Sequence, residues 1–98
     1  MAQYDVHSLE GAGLVVNCQA DLLDHLTTRV VIPLVDPATV PAPLTRLHPL
    51  FDIADKRLLM ATHLIGAVPV AALGPAVASL PREHLTIIGA LDVLSTGV

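Results

Sequence analysis

The histidines and the single cysteine are the first residues of this chain that could bind a metal or act as nucleophiles. The five histidines are His7, His25, His48, His63 and His84. None stands at His-x3-His spacing or beside a Cys-x2-Cys pair, so we expect no metal site and no cofactor. Cys18 lies in an apolar strand segment without a neighbouring base or cation, which indicates a buried structural thiol. A lone cysteine forms no internal disulfide and favours a reducing cytoplasm.

Arg29 and the nearby carboxylates of Asp21 and Asp24 could form an acid–base group for phosphodiester cleavage. An arginine at the start of a strand beside loop carboxylates is more commonly an ion pair, and we favour that interpretation. The serines lack a nucleophile-elbow context. The glycines at positions 11 and 13 precede a strand rather than a helix, so they do not form a phosphate loop. These residues indicate a binding protein rather than an enzyme.

The composition predicts one small domain, spanning residues 1–98. The chain is 53% hydrophobic and only 2% aromatic, so its core must be aliphatic. So many apolar residues in a small domain predict exposed apolar surface that a dimer interface would cover. A net charge of −4 argues against direct nucleic-acid binding. No apolar run reaches the roughly 18 residues of a membrane span, and we expect no signal peptide.

Short strand-like segments with turn signals between them predict six strands in a small antiparallel sheet or barrel. The predicted strands are residues 4–7, 14–18, 29–34, 47–53, 57–64 and 68–73. Turns are expected at residues 10–13, 54–56 and 74–75, with an irregular loop over residues 35–43.

From Leu80 onward the pattern changes to helical spacing. The positions that follow it are Leu80, His84, Ile87, Ile88, Leu91 and Leu94. Pro81 suits the first helical turn, Glu83 suits the positive end of the helix dipole, and Gly97 is a plausible stop. Gly89 in mid-helix indicates either the close approach of another helix or a weak position. The sequence therefore predicts a C-terminal helix after the strands.

The segment from Gln19 to Leu34 holds two adjacent leucines, Leu22 and Leu23, between carboxylates. An extended backbone would point them in opposite directions and a helical turn would splay them, so one of them is hard to bury. Pro33 has no N–H for a ladder. The segment therefore predicts a surface loop that feeds a strand near a sheet edge, where a partner could bind.

An ordered series of residues resembles the CcdB family of plasmid and chromosomal toxins. The series is Gln19-x-Asp21-Leu22-Leu23-Asp24, then Arg29-Val-Val-Ile-Pro-Leu34, then His48-Pro49, Ile53, Asp55, Met60, Thr62 and Val68-Pro69-Val70. Residues 74–98 align with the family without a gap, and the resemblance covers roughly residues 15–98.

The resemblance implies a mainly β homodimer with a C-terminal helix and a small antiparallel sheet related to the SH3-like barrel of ribonuclease toxins. It implies a toxin that is not an enzyme. The toxin would bind the breakage-reunion domain of DNA gyrase A and trap gyrase in its complex with cleaved DNA. A CcdA-like antitoxin with a disordered C-terminal segment would wrap the dimer and displace it from gyrase. The toxin–antitoxin complex would repress its own operon, with the antitoxin contacting DNA.

The resemblance also implies which residues face gyrase. They are Leu22, Leu23, Asp24, Asp92, Ser95, Thr96, Gly97 and Val98. The family's typical ending is Phe-Trp-Gly-Ile, so Thr96 stands where the family has Trp. Losing an aromatic hot spot and its cation–π contacts implies weaker gyrase binding unless another contact compensates. Two alternatives follow: a degenerate dimer that binds antitoxin but no longer poisons gyrase, and an endoribonuclease that uses Arg29.

Overall fold

The computed structural model describes residues 1–97, and within them strands dominate the first 79 residues and a helix ends the chain. The strands are β1 (Asp5–Leu9), β2 (Gly13–Asn17), β3 (Thr28–Val35), β4 (Leu50–Ile53), β5 (Lys56–Met60), β6 (Gly66–Pro69) and β7 (Leu73–Ser79). The helix, α1, spans His84–Thr96 and follows a 3-10 turn at Pro81–Glu83. This confirms a mainly β fold with one C-terminal helix.

The strands form one antiparallel sheet in the order β4-β5-β3-β2-β1-β7, and β6 pairs with β3 outside this path. The long strand β3 shares one edge between two partners: its first half pairs with β6, and its last two residues pair with β5. Its other edge pairs with β2. Because one strand holds three neighbours, the sheet curls into a half-barrel.

The prediction that Pro33 marks a sheet edge was wrong, because β3 lies in the middle of the sheet. Pro33 sits between Val31, the last residue paired with β6, and Leu34, the first paired with β5. Its carbonyl accepts from the Ala61 N–H on that side at 2.9 Å. The missing N–H of proline therefore falls at the junction of two partner strands, where no ladder bond is lost.

The turn predictions for the two hairpins are confirmed. Gly11 and Gly13 adopt φ of 80° and 76° in the β1–β2 turn. Ala54 and Asp55, which join β4 to β5, adopt φ of 51° and 64°. Two consecutive residues with positive φ give the turn twist that matches the strands of a tight hairpin.

The predicted sixth strand, residues 68–73, was wrong. Its place is taken by the end of β6, by a 3-10 turn at Val70–Ala72 and by the first residue of β7. The predicted stop at Gly74 and Pro75 instead lies inside β7, which is an edge strand. The pairing of β7 with β1 shifts register between Ala76 and Leu73, so the proline occupies an irregularity that does not need its N–H.

Two further strands were predicted too long. The strand predicted over residues 47–53 begins only at Leu50, after Pro49. The strand predicted over residues 57–64 ends at Met60 and is followed by a 3-10 turn at Thr62–Leu64. The irregular loop holds one 3-10 turn, Pro37–Thr39, in which the Ala38 N–H donates to the side chain of Asp36.

The core lies between one face of the sheet and α1. Strand register aligns Val6 with Val16 and Val16 with Ile32, so these side chains share that face. Ile87 and Ala90 of α1 complete the cluster. Burial of aliphatic side chains, each worth roughly 1.5–3 kcal/mol, therefore fixes the helix on the sheet.

Candidate target-binding surface

The segment between β2 and β3 is a surface turn that exposes both of its leucines. A 3-10 turn spans Asp21–Leu23, with the Leu23 N–H donating to Ala20 at 2.9 Å and the Asp24 N–H donating to Asp21 at 3.1 Å. Leu22 is 86% exposed and Leu23 is 42% exposed. The predicted surface loop is confirmed here. We call residues 19–29 the site loop.

A buried guanidinium lies beneath the site loop. The Arg29 side chain donates from Nη1 to the carbonyls of Leu26 and Thr28 at 2.7 and 2.9 Å, and from Nη2 to the carbonyl of Asp24 at 2.7 Å. The expected ion pair with Asp21 or Asp24 was therefore wrong, because inward-facing carbonyls take up the donors. Arg29 is only 6% exposed, so little of its guanidinium is open to contact with an RNA phosphate.

Gln19 holds the same loop from the other side. Its side-chain Nε2 donates to the carbonyl of Leu23 at 2.9 Å, and its Oε1 accepts from the Val30 N–H at 3.1 Å. Asp21 adds a third attachment, because its Oδ1 accepts from the Gln3 N–H at 2.7 Å. Sequence reasoning missed Gln19 and Arg29 as organising residues, since a polar side chain is expected at the surface.

The C-terminal part of α1 carries the other predicted site residues. Asp92, Ser95, Thr96 and Gly97 are exposed. The Thr96 hydroxyl donates to the Asp92 carbonyl at 2.6 Å. Gly97 ends the helix with φ of 78°, and its N–H donates to Val93 at 2.9 Å, so the predicted stop is confirmed. The remaining predicted residue, Val98, lies outside the described residues.

One face of α1 extends the predicted surface toward the start of the helix. Leu85, Gly89, Asp92 and Thr96 are spaced by four, three and four residues, which places them on one helical stripe. Leu85 is 81% exposed. No atom of the described residues beyond the helix's own backbone lies within 4 Å of where a Cβ at Gly89 would be. An apolar residue outside the core spacing was the signal that could have identified Leu85.

Neighbouring N-terminal residues tie the site loop and α1 to the same corner of the molecule. Gln3 binds Asp21, while Tyr4 forms a 2.6 Å hydrogen bond from its hydroxyl to Nδ1 of His84. These attachments connect the loop to the first turn of α1. The helix has 13 residues and is therefore roughly 20 Å long, with Thr96 at its far end. The grouping of the loop with residues 95–98 stays a prediction.

A histidine pair was missed by sequence reasoning. Nε2 of His48 lies 2.9 Å from Nδ1 of His63, and Nδ1 of His48 accepts from the Leu44 N–H at 3.0 Å. Because Nδ1 of His48 is an acceptor, its proton is on Nε2 and is donated to His63. Burial, and then the charge of His63, lowers the pKa of His48. The two residues are 15 positions apart, so spacing gave no signal.

The predicted burial of Cys18 is confirmed. Burial raises the pKa of its thiol to about 12, so the sulfur is protonated near neutral pH and is a poor nucleophile. Among residues 1–97, no three metal-ligating side chains lie together. Within the same residues, no helix is long and apolar enough to cross a membrane.

The fold is a curled antiparallel half-barrel packed against one C-terminal helix, with an exposed turn before its central strand. This architecture is consistent with the fold of small toxins of the CcdB type. The family model described as CcdB protein matches residues 3–97 of the 98-residue chain. The chain belongs to the CcdB family, and it is a toxin of the CcdB type.

Proposed function

We propose that this protein is the toxin of a type II toxin–antitoxin pair and that it binds DNA gyrase A and traps the complex with cleaved DNA. The observation that carries the proposal is the family match, which runs through both the site loop and α1. On this proposal the protein acts by binding rather than by catalysis. The buried Cys18 thiol and the buried Arg29 guanidinium are consistent with that mode of action.

The proposed gyrase-facing residues are the exposed members of the two segments. They are Leu22, Leu23, Asp24, Asp92, Ser95, Thr96, Gly97 and Val98. Leu22 supports the assignment most, because a leucine so exposed gains free energy when a partner removes it from water.

The proposed partners are a second copy of the chain and a CcdA-like antitoxin. The exposed leucines and valines of a 98-residue chain support dimer formation, which would cover part of that surface. The net charge of −4 supports a toxin that leaves DNA contact to its antitoxin. We propose that the dimer acts in the cytoplasm, where gyrase lies.

The test combines growth on induction with binding of DNA gyrase A by the purified protein. We expect growth arrest and saturable binding, and Leu22→Ala should weaken binding about tenfold because it removes most of one apolar anchor. Leu44→Ala is the matched control, since Leu44 is also an exposed loop leucine, at 60%. Normal growth together with no gyrase binding at micromolar toxin would overturn the proposal.

A second candidate function is a degenerate dimer that retains antitoxin binding and has lost gyrase poisoning. The observation in its favour is Thr96, which stands where the family typically has Trp. The substitution Thr96→Trp should then create or raise toxicity and strengthen gyrase binding. Wild-type toxicity that the substitution leaves unchanged would count against this candidate.

A further inference from the structure

The site loop presents apolar side chains to water while its backbone carbonyls face inward. The carbonyls of Leu23, Asp24 and Leu26 each accept a bond from a side chain beneath the loop. Without these bonds, a turn with adjacent leucines would lower its free energy by burying the leucine side chains and exposing its carbonyls to water. The two buried polar side chains, Gln19 and Arg29, hold the opposite arrangement.

Arg29 is an unusual residue to bury for stability alone. A charge removed from water is costly unless it is paired, and its donors are satisfied by carbonyl dipoles rather than by a carboxylate. Within residues 1–97, the side-chain salt bridge that is present joins Arg57 to Asp52 at the surface. The planar fork of a guanidinium can reach several carbonyls at fixed angles, which an ammonium cannot do.

We propose that Gln19 and Arg29 are positioning residues for target recognition: without touching the target, they fix the conformation in which Leu22 and Leu23 are presented. This inference rests on the proposed gyrase binding. A loop that is already ordered loses less conformational freedom on association, and this strengthens binding without adding a contact. We call the hydrogen bonds from Gln19 and from Arg29 to the site loop its two clamps. Loss of either clamp should therefore weaken target binding, although every target-facing side chain is retained.

Near-isosteric substitutions test the clamps with little change in volume. Gln19→Glu keeps the acceptor for the Val30 N–H but places a carboxylate oxygen against the Leu23 carbonyl. Arg29→Lys keeps the charge and loses the fork. Arg57→Lys, at an exposed arginine, is the matched control. If Arg29→Lys fails to fold, Gln19→Glu alone decides the outcome.

Two readouts are needed on the folded variants. Hydrogen exchange of the free protein should show faster exchange at the Leu23, Asp24 and Leu26 amides, with strand protection and the circular dichroism spectrum retained. Binding to purified DNA gyrase A should weaken by roughly tenfold or more, while Arg57→Lys behaves as wild type.

The outcomes separate this inference from the proposed function. If wild type binds gyrase, Leu22→Ala weakens it, and Gln19→Glu and Arg29→Lys bind as wild type, the inference is wrong and the function stands. Unchanged exchange at the loop amides in both variants would also overturn the inference. If wild type itself does not bind gyrase, the proposed function fails, and the inference falls with it.

Discussion

Two irregular loops of this protein are held in place by hydrogen bonds from polar side chains of different chemistry. The site loop is held by the amide of Gln19 and the guanidinium of Arg29. A second loop, residues 36–49, which we call the proline loop, is held by the hydrogen-bonded pair of His48 and His63. A guanidinium stays charged at any pH at which proteins fold, whereas a histidine pair holds in one protonation state. The comparison teaches that a change of pH leaves the charge of Arg29 in place beneath one loop and alters that of His48 in the other.

The largest difference should appear when each clamp is removed. Arg29→Leu leaves the carbonyls of Asp24, Leu26 and Thr28 without their donor, and unsatisfied buried groups cost about 1–3 kcal/mol each. Since water recovers part of this loss at the surface, we expect a loss of about 3 kcal/mol in the free energy of unfolding. His48→Leu removes two bonds and should cost about 1–2 kcal/mol. Urea unfolding at pH 7.5 measures both.

The control for this pair is Arg57→Leu, which removes an exposed arginine with a surface ion pair and should change stability by less than about 1 kcal/mol. Equal costs for Arg29→Leu and His48→Leu, or the reverse order, would break the comparison between the loops.

The pH dependence of the proline loop gives a smaller effect. Because the pKa of His48 is lowered in the folded protein, the unfolded chain takes up a proton first as the pH falls below about 6.5. The stability that neutral His48 contributes is therefore complete above that pH and is lost as the pH falls toward its lower folded pKa. We expect a loss of about 1 kcal/mol, the net value of one hydrogen bond, and faster exchange at the Leu44 amide.

Protonation of His48 costs a bond, because a proton on its Nδ1 would meet the Leu44 N–H. The charged groups that share the neighbouring cavity with His48 are Arg57 and Glu83. The double variant His48→Gln, His63→Gln should flatten the stability profile between pH 7.5 and 5 relative to wild type. A stability profile as steep as that of wild type would contradict the assignment of the pH dependence to this histidine pair. Faster hydrogen exchange at the site-loop amides over the same pH range would also contradict it.

The smallest effect concerns one exposed aspartate in each loop. Asp21 accepts from the Gln3 N–H at 2.7 Å, and Asp36 accepts from the Ala38 N–H at 3.0 Å. Both bonds are exposed and each should be worth about 0.5 kcal/mol, so Asp21→Ala and Asp36→Ala should destabilise the protein equally in thermal unfolding. Equal losses of stability in the two variants would show that the difference in stability between the loops comes from Arg29 and His48. A difference between the variants above about 1 kcal/mol would show that it has another source.

Much of the fold follows from local patterns in the sequence. Apolar segments on either side of the Gly11–Gly13 turn and the β-branched run of β3 predicted the central strands, and helical spacing predicted α1. The errors lie where tertiary pairing overrides local signals. Gly74 and Pro75 look like a strand stop, but an irregular pairing at a sheet edge accepts both.

The candidate site divides in the same way. Adjacent leucines between carboxylates predicted an exposed turn, since alternation cannot bury both side chains on one face. The clamps beneath the turn were not predictable, because Gln19 and Arg29 are polar residues that only the folded chain surrounds. The pairing of His48 with His63 likewise exists only after β5 and the turn that follows it are in place.

The reactivity of the Cys18 thiol reports local opening of the folded protein. It joins β2 to the site loop, its N–H donates to the Val30 carbonyl at 2.9 Å, and its carbonyl accepts from Gln3 Nε2 at 3.1 Å. The thiol lies in the core cluster that includes Ile87 of α1, and its pKa is raised to about 12 in the folded state, so an alkylating reagent at pH 8 reacts mainly when the core around Cys18 opens. Since the chain has one cysteine, the rate of its modification counts those openings without an attached dye or an engineered residue.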